Sequence, residues 1–175
     1  MVGTNDPLYT RKDAATIRGY GDGCLGKKLK VYLDTSVISA LFDKRDPVRK
    51  RITEGFFDRI SDFEIFISRI TINEIKDARS NILRRKMMDA INDFEVLAVS
   101  NEVISLGQEY ISNGALPSHC PDDAYHIAAA VLNDIGHLLS WNFQHIVRTR
   151  TRKIVRGVNR SRGLPQLIIL TPREV

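Results

Sequence analysis

Residues 29–42, LKVYLDTSVISALF, contain the strand, the turn and the helix start that decide the fold. Leu29–Leu33 is a short run with the residue types of a β-strand. Asp34 ends this run, and residues 35–42 have the pattern of a helix for which Thr35 and Ser36 are alternative N-caps. The stretch therefore predicts a strand, a tight turn and a helix, with an aspartate at the carboxyl end of the strand.

The same alternation of strands and helices continues along the chain. Four more short apolar runs predict strands at 64–68, 96–100, 137–141 and 166–170. Helical spacing of apolar residues predicts helices at 47–60, 71–78, 81–94, 102–112, 122–133 and 144–158. Because the strands are mostly continuous apolar runs, helices should cover both faces of the sheet. The sequence predicts an α/β fold, a three-layer α/β/α sandwich with a mainly parallel central sheet.

The length of 175 residues corresponds to about one domain. Residues 1–28 contain scattered apolar positions and five of the eleven glycines, which predicts an N-terminal extension, partly disordered, before a domain over 29–175. No apolar stretch reaches the ~18 residues of a membrane-spanning helix. The two cysteines, Cys24 and Cys120, are far apart, so we expect a reducing, cytoplasmic location.

The net charge of +5 is concentrated in one segment. Residues 148–162 carry seven basic side chains and no acidic one, so the rest of the chain is mildly acidic. This asymmetry favours a polyanionic partner such as nucleic acid, although a solvated arginine-rich helix explains it equally well.

Carboxylate and amide side chains follow several of the predicted strands. Asp34 follows the first strand, Glu74 lies in the helix after the second, and Asn142 follows the strand 137–141. Asp122 and Asp123 lie in the first turn of the helix 122–133. Ligands of open parallel sheets bind at the carboxyl ends of the strands. Oxygen donors gathered there suit hard cations such as Mg²⁺ or Mn²⁺.

Each of these acidic residues also has a purely structural interpretation. Asp34 suits an N-cap position, and Thr71 with Glu74 has the spacing of a capping box. Asp122 and Asp123 would interact favourably with the dipole of their helix. The residues taken singly therefore leave a metal site and helix capping as open alternatives.

The histidines do not predict a zinc site, because the spacing of His119, His126, His137 and His145 fits no common motif and Cys120 has no paired cysteine. His126 lies three residues after Asp123 and would be close to the same helix face. Trp141 is interpreted as a core aromatic rather than as a base-stacking surface.

Four segments, VYLDTSVISALFD, TINEI, DDAYHIAAA and LLSWNFQHI, occur in this order. In this arrangement the chain resembles PIN-domain proteins, and more narrowly the VapC-like toxins of bacterial toxin–antitoxin pairs. The resemblance extends from about Leu29 to the C-terminus. It implies a small α/β/α sandwich and an Mg²⁺- or Mn²⁺-dependent endoribonuclease. It also implies a cognate antitoxin protein and a homodimer.

The resemblance assigns roles to individual residues. Asp34, Glu74 and Asp123 match the three acidic positions of the family, and are expected to act in catalysis and metal binding. Asn142 matches a fourth position that is Asp in many members, so it is a metal ligand without charge. Asp122 is a secondary candidate for the metal.

Supporting and substrate-binding roles follow from the same resemblance. Ser36 and Ser140 match positions where a small hydroxyl residue supports the acids. The basic segment is expected to bind the RNA backbone, through Arg148, Arg150, Arg152, Lys153 and Arg156.

Two other classes of function stay open at this point. The first is a PIN-like module that binds RNA or a protein without cleavage, which the uncharged Asn142 favours slightly. The second is a flavodoxin-like regulator with an acidic pocket, which would need a lysine at the end of a later strand, and the sequence shows no such residue.

Overall fold

The computed structural model describes residues 28–175, so the predicted N-terminal extension lies, except for Lys28, outside the described residues. Five strands form one sheet in which every neighbouring pair is parallel, in the order β3-β2-β1-β4-β5. The strands are β1 (Leu29–Leu33), β2 (Phe63–Ser68), β3 (Glu95–Leu97), β4 (His137–Leu139) and β5 (Ile168–Leu170). This arrangement confirms the predicted α/β class and the parallel sheet.

Seven α-helices and two short 3₁₀ helices connect and flank the strands in the described part of the chain. The α-helices are α1 (Thr35–Ala40), α2 (Pro47–Phe57), α3 (Arg69–Lys76), α4 (Asn81–Ala90), α5 (Asn101–Ser112), α6 (Pro121–Leu132) and α7 (Thr149–Ser161). The 3₁₀ helices are Ile60–Asp62 and Pro172–Glu174. None of these helices is long and apolar enough to cross a membrane.

The two faces of the sheet pack against separate hydrophobic cores, because side chains alternate between faces along a strand. Val31 and Leu33 of β1 belong to a core formed with α1 to α4. Tyr32 belongs to the other core, formed with α5, α6 and α7. Residues 128–130 of α6 are three consecutive buried alanines, whose small side chains let this helix approach its neighbours closely. The molecule is therefore the three-layer sandwich that the sequence predicts.

The structure decides between the capping alternatives at two helices that carry site residues. Asp34, rather than Thr35 or Ser36, caps α1, because its carboxylate accepts a hydrogen bond from the Ser36 amide. Helix α3 begins at Arg69, and Ser68 caps it through the Ile70 amide at 3.2 Å. Thr71 is consequently buried inside the helix, and the proposed capping box with Glu74 was wrong.

Helix α7 also begins later than predicted, at Thr149 instead of residue 144, and continues to Ser161. The intervening chain forms a turn in which the Asn142 carbonyl accepts hydrogen bonds from the amides of Ile146 and Val147, at 3.1 and 2.9 Å. This turn fixes the position of the side chains that follow β4.

Candidate active site

Asp34 lies at the carboxyl end of the central strand and is only 5% exposed. Its Oδ2 accepts hydrogen bonds from the hydroxyls of Ser36 at 2.6 Å and Ser140 at 2.5 Å. Each serine oxygen also accepts a main-chain amide, from Trp141 and Asn142 respectively. Since the amides occupy lone pairs of both hydroxyls, the hydroxyl hydrogens point at Asp34, an arrangement that matches an ionised carboxylate.

Glu74 on α3 is held at the same end of the sheet by two side chains. Its Oε2 accepts a hydrogen bond from the Thr35 hydroxyl and lies 3.0 Å from Nε2 of His126. Burial alone would raise the pKa of Glu74, but the bond and charge of His126, together with Thr35, lower its pKa overall. Glu74 is therefore a partly buried carboxylate that stays charged.

His126 on α6 is fully buried and bridges Glu74 to Tyr32. The Tyr32 hydroxyl donates to Ser68 Oγ at 2.7 Å and lies 2.7 Å from Nδ1 of His126. Tyr32 must then accept from Nδ1, while the Glu74 carboxylate accepts from Nε2, so both ring nitrogens carry hydrogen. Burial is the largest influence and favours the neutral ring, but Tyr32, Glu74 and Asp34 together raise the pKa of His126 well above 6.5.

Asp123 occupies the first turn of α6 and is fixed by two residues that follow β4. Its Oδ1 accepts from the side-chain amide of Asn142 at 3.0 Å, and its Oδ2 lies 2.6 Å from Nδ1 of His145. Asn142 Oδ1 in turn accepts the main-chain amide of His145 at 3.0 Å. Burial raises the pKa of Asp123, and the nearby Asp34 adds to this effect, while the bond to His145 opposes it.

The structure brings the predicted acidic and hydroxyl residues to one edge of the sheet. Ligand atoms of Asp34, Glu74 and His126 lie within 4.8 Å of one another. Because Tyr32 and Glu74 engage both ring nitrogens of His126, the two carboxylates are the candidate metal ligands of this group. Asp123 lies outside that group but interacts electrostatically with Asp34. Asp122 precedes it in the same helical turn and is exposed. The carboxylate oxygens of Asp34 and Glu74 are donors that fit a divalent cation.

The resemblance names Ser36 and Ser140, which bond Asp34, but sequence reasoning missed the roles of Tyr32 and His145 and the partner of His126. His126 contacts Glu74 and Tyr32 instead of Asp123, the neighbour that its helical spacing suggested. His145 lies three residues after Asn142, but only the turn before α7 brings its ring to Asp123. No periodic signal in the sequence identifies Tyr32 as more than a core residue of β1.

The residues expected to contact RNA lie on and just before α7. Arg148, Arg150, Lys153 and Arg156 are exposed, whereas Arg152 is partly buried. The aromatic side chains nearby differ in exposure: Trp141 is buried and donates to Thr53, as expected for a core residue, while Phe143 is 59% exposed. The Phe143 and Trp141 ring centroids are 6.1 Å apart.

Comparison with known proteins gives a family match and two related structures. A model of the PIN domain family matches residues 31–142. VapC20 of Mycobacterium tuberculosis, a toxin that cleaves the sarcin–ricin loop, is 16% identical with a TM-score of 0.50, over 62% of this chain and 86% of that chain. A chain of VapBC2 from Rickettsia felis, solved on a DNA fragment from its promoter, is 14% identical with a TM-score of 0.50, over 82% and 98%. No curated protein matches the chain.

Proposed function

The chain belongs to the PIN domain family, and on that premise we propose that it is a divalent-metal-dependent endoribonuclease and the toxin of a toxin–antitoxin pair. The observation that carries the proposal is the convergence of Asp34, Glu74 and Asp123 at the carboxyl end of one parallel sheet. Their separate positions along the sequence have no common structural purpose, whereas together they form an acidic cluster suited to a cation.

The residues divide into ligands and positioning groups. Asp34, Glu74 and Asp123 would hold Mg²⁺ or Mn²⁺, with Asn142 and Asp122 as secondary ligands. A bound ion of this kind lowers the pKa of water and offsets the charge of a phosphate under attack. Ser36 and Ser140 donate to Asp34 and fix the orientation of its carboxylate.

His126 adds a fixed positive charge beside the carboxylates, because both of its ring nitrogens donate. This charge offsets the repulsion between Asp34 and Glu74 that burial would otherwise strengthen. His126 is therefore assigned as a positioning residue for Glu74.

The partners follow from the family and from the charge distribution. The exposed basic side chains of α7 would contact RNA phosphates, which gives affinity without sequence recognition. The similarity to VapBC2, which was solved on a DNA fragment from its promoter, supports the further inference of a cognate antitoxin for this chain. A homodimer and a cytoplasmic location complete the proposal.

A second candidate function is a PIN module that binds RNA without cleaving it. One observation favours it: both oxygens of Asp123 already accept hydrogen bonds, from Asn142 and from His145. If these bonds persist with RNA present, Asp123 cannot turn freely toward a cation. The two functions differ in a single measurable property, the cleavage of RNA.

The test is cleavage of a pool of labelled RNAs by the purified chain with Mn²⁺, with Mg²⁺ or with EDTA. We expect cleavage only with a metal, and a loss of about 100-fold or more in Asp34→Asn. Asp93→Asn, which alters an exposed aspartate outside the site, is the matched control and should cleave normally. RNA binding without cleavage under every condition would instead establish the binding module.

A further inference from the structure

Three side chains with nitrogen and sulfur donors meet beside Asp123. Ligand atoms of His119, Cys120 and His145 all lie within 4.8 Å of one another. His119 is exposed, and the other two are partly buried, so the cluster is accessible to solvent. The spacing of these residues does not predict a zinc site, because the pair 119–120 and residue 145 are separated by the whole of α6 and β4.

Two separate turns build this cluster. The Cys120 amide donates to the Pro117 carbonyl at 3.1 Å, which closes a turn immediately before α6 and places His119 and Cys120 together. On the other side, Asn142 Oδ1 accepts the His145 amide. The two imidazole rings meet edge-on, with centroids 6.3 Å apart and an interplanar angle of 84°. Hydrogen bonds of main-chain amides thus fix the two chain segments that carry the donor atoms.

Asp123 prepares one of these donors. Its Oδ2 lies at hydrogen-bond distance, 2.6 Å, from Nδ1 of His145. Nε2 of the same ring is therefore left for another partner. A carboxylate that orients a histidine through the opposite nitrogen is the usual outer support of a metal-binding imidazole. This contact fixes the ring and makes Nε2 a better electron donor.

We propose that His119, Cys120 and His145 form a binding site for a borderline divalent cation, Zn²⁺, distinct from the oxygen-rich cluster of Asp34 and Glu74. Two imidazoles and one thiolate match the donors that zinc prefers, whereas Mg²⁺ prefers oxygen. Zn–N distances of about 2.1 Å and a Zn–S distance of about 2.3 Å require only a small contraction of the cluster. Water would complete a tetrahedral shell.

Binding converts the Cys120 thiol into a thiolate, and the proton passes to solvent. Cys120 is a free cysteine in the structure. Burial, with the nearby Asp123 and Asp122, raises the pKa of this thiol, so the charge of the bound cation is what favours the thiolate. The same two carboxylates attract a dication to the cluster. A consequence that rests on the proposed function is that Zn²⁺ should inhibit RNA cleavage. The metal would hold His145, the same imidazole that positions Asp123.

The test uses Co²⁺ as a spectroscopic substitute for Zn²⁺. The sample is the full-length chain, treated with a chelator and kept reduced by a phosphine. A cobalt–thiolate bond gives a charge-transfer absorption that oxygen and nitrogen ligands do not give. We expect one equivalent of Co²⁺ to produce this band and Zn²⁺ to displace it. Cys120→Ser should abolish the band, and His119→Gln should weaken Co²⁺ binding by about tenfold or more.

Two further variants make the result specific. Cys24→Ser removes the other cysteine, which lies outside the described residues, and should leave the band intact. Asp34→Asn should also leave it intact, so the outcome does not depend on nuclease activity. The proposal is overturned if no thiolate band forms, if the band survives Cys120→Ser, or if Cys24→Ser removes it.

Discussion

His126 and His137 are both buried, but they lie at opposite ends of the sheet and their pKa values shift in opposite directions. His126 sits among Tyr32, Glu74 and Asp34 at the carboxyl end, and its pKa is raised well above 6.5. His137 begins β4 at the amino end, where burial lowers its pKa, and neither of its buried ring nitrogens has a hydrogen-bond partner among the described residues. Burial is the largest influence on both rings, so the partners decide the outcome.

This contrast shows how the carboxyl end of the sheet differs from the rest of the core. There, buried charges are retained because each acid has a donor and the histidine has two acceptors. At the amino end, His137 is buried without such partners, and its pKa is lowered. Retained buried charge in a cleft is a common mark of a functional site.

Among the tests of this contrast between the two histidines, removal of the hydroxyl that holds His126 should have the greatest effect. Tyr32→Phe deletes the acceptor for Nδ1, and the ring would then no longer be fixed beside Glu74. We expect RNA cleavage to fall by about 10- to 100-fold, mainly in kcat, as for other outer-shell groups of metal sites. The measurement is steady-state cleavage with Mn²⁺.

Tyr110→Phe is the matched control for this variant. Tyr110 is equally buried and donates to Asn159 Oδ1 at 2.6 Å, but it has no contact with the acidic cluster. Both substitutions should cost about 1–3 kcal/mol of stability, because each leaves a buried polar partner unpaired. Equal losses of activity in the two variants would show that Tyr32 acts through stability alone.

A smaller effect, on RNA binding, is expected when the basic side chains of α7 are replaced. Arg150, Lys153 and Arg156 repeat every three residues along α7 and are exposed, so they share one helix face. Replacing all three with Gln should weaken RNA binding about tenfold. It should also reduce the magnitude of the slope of log K against log salt concentration by about 2. Fluorescence anisotropy at several salt concentrations measures both.

A control variant for the effect of net charge replaces two basic residues at the amino ends of strands. Lys28 precedes β1 and Arg59 precedes β2, and both are exposed. Lys28→Gln with Arg59→Gln removes two positive charges far from the site, so the salt dependence should hardly change. A similar decrease in both variants would mean that net charge, and not the α7 face, drives binding.

The smallest effect concerns stability as a function of pH. The folded-state pKa of His137 lies below the ordinary value of 6.5, so the unfolded chain binds a proton more readily. His137 therefore destabilises the fold as the pH falls below about 6.5, by at most about 1.4 kcal/mol per pH unit. Urea unfolding in EDTA between pH 7.5 and 5.5 measures this loss.

His137→Leu should reduce the loss of stability toward low pH, while His119→Gln, at an exposed histidine, should leave it unchanged. His126 has the opposite sign: its raised pKa gives stability that is fully present below 6.5 and lost as the pH rises through its folded value. If His137→Leu and the wild type respond identically to pH, the ring is not held neutral in the fold.

The sequence by itself determined the fold class, the five strands and the candidate acids. Apolar runs separated by helical periods are local patterns, and a parallel sheet follows from them with few alternatives. Asp34, Glu74 and Asp123 could be found because each has a definite position relative to a strand or a helix start. Helix boundaries were less certain, as at α3, where Ser68 competes with Thr71 for the cap.

Only the tertiary structure decided how the acids are held and which histidines accompany them. Tyr32, His126 and Ser68 come from three different elements, and the pairing of β1 with β2 brings them into one chain of hydrogen bonds. The cluster of His119, Cys120 and His145 likewise depends on two turns that meet in space. Such contacts carry no sequence period, because their geometry is set by the packing of whole elements rather than by local spacing.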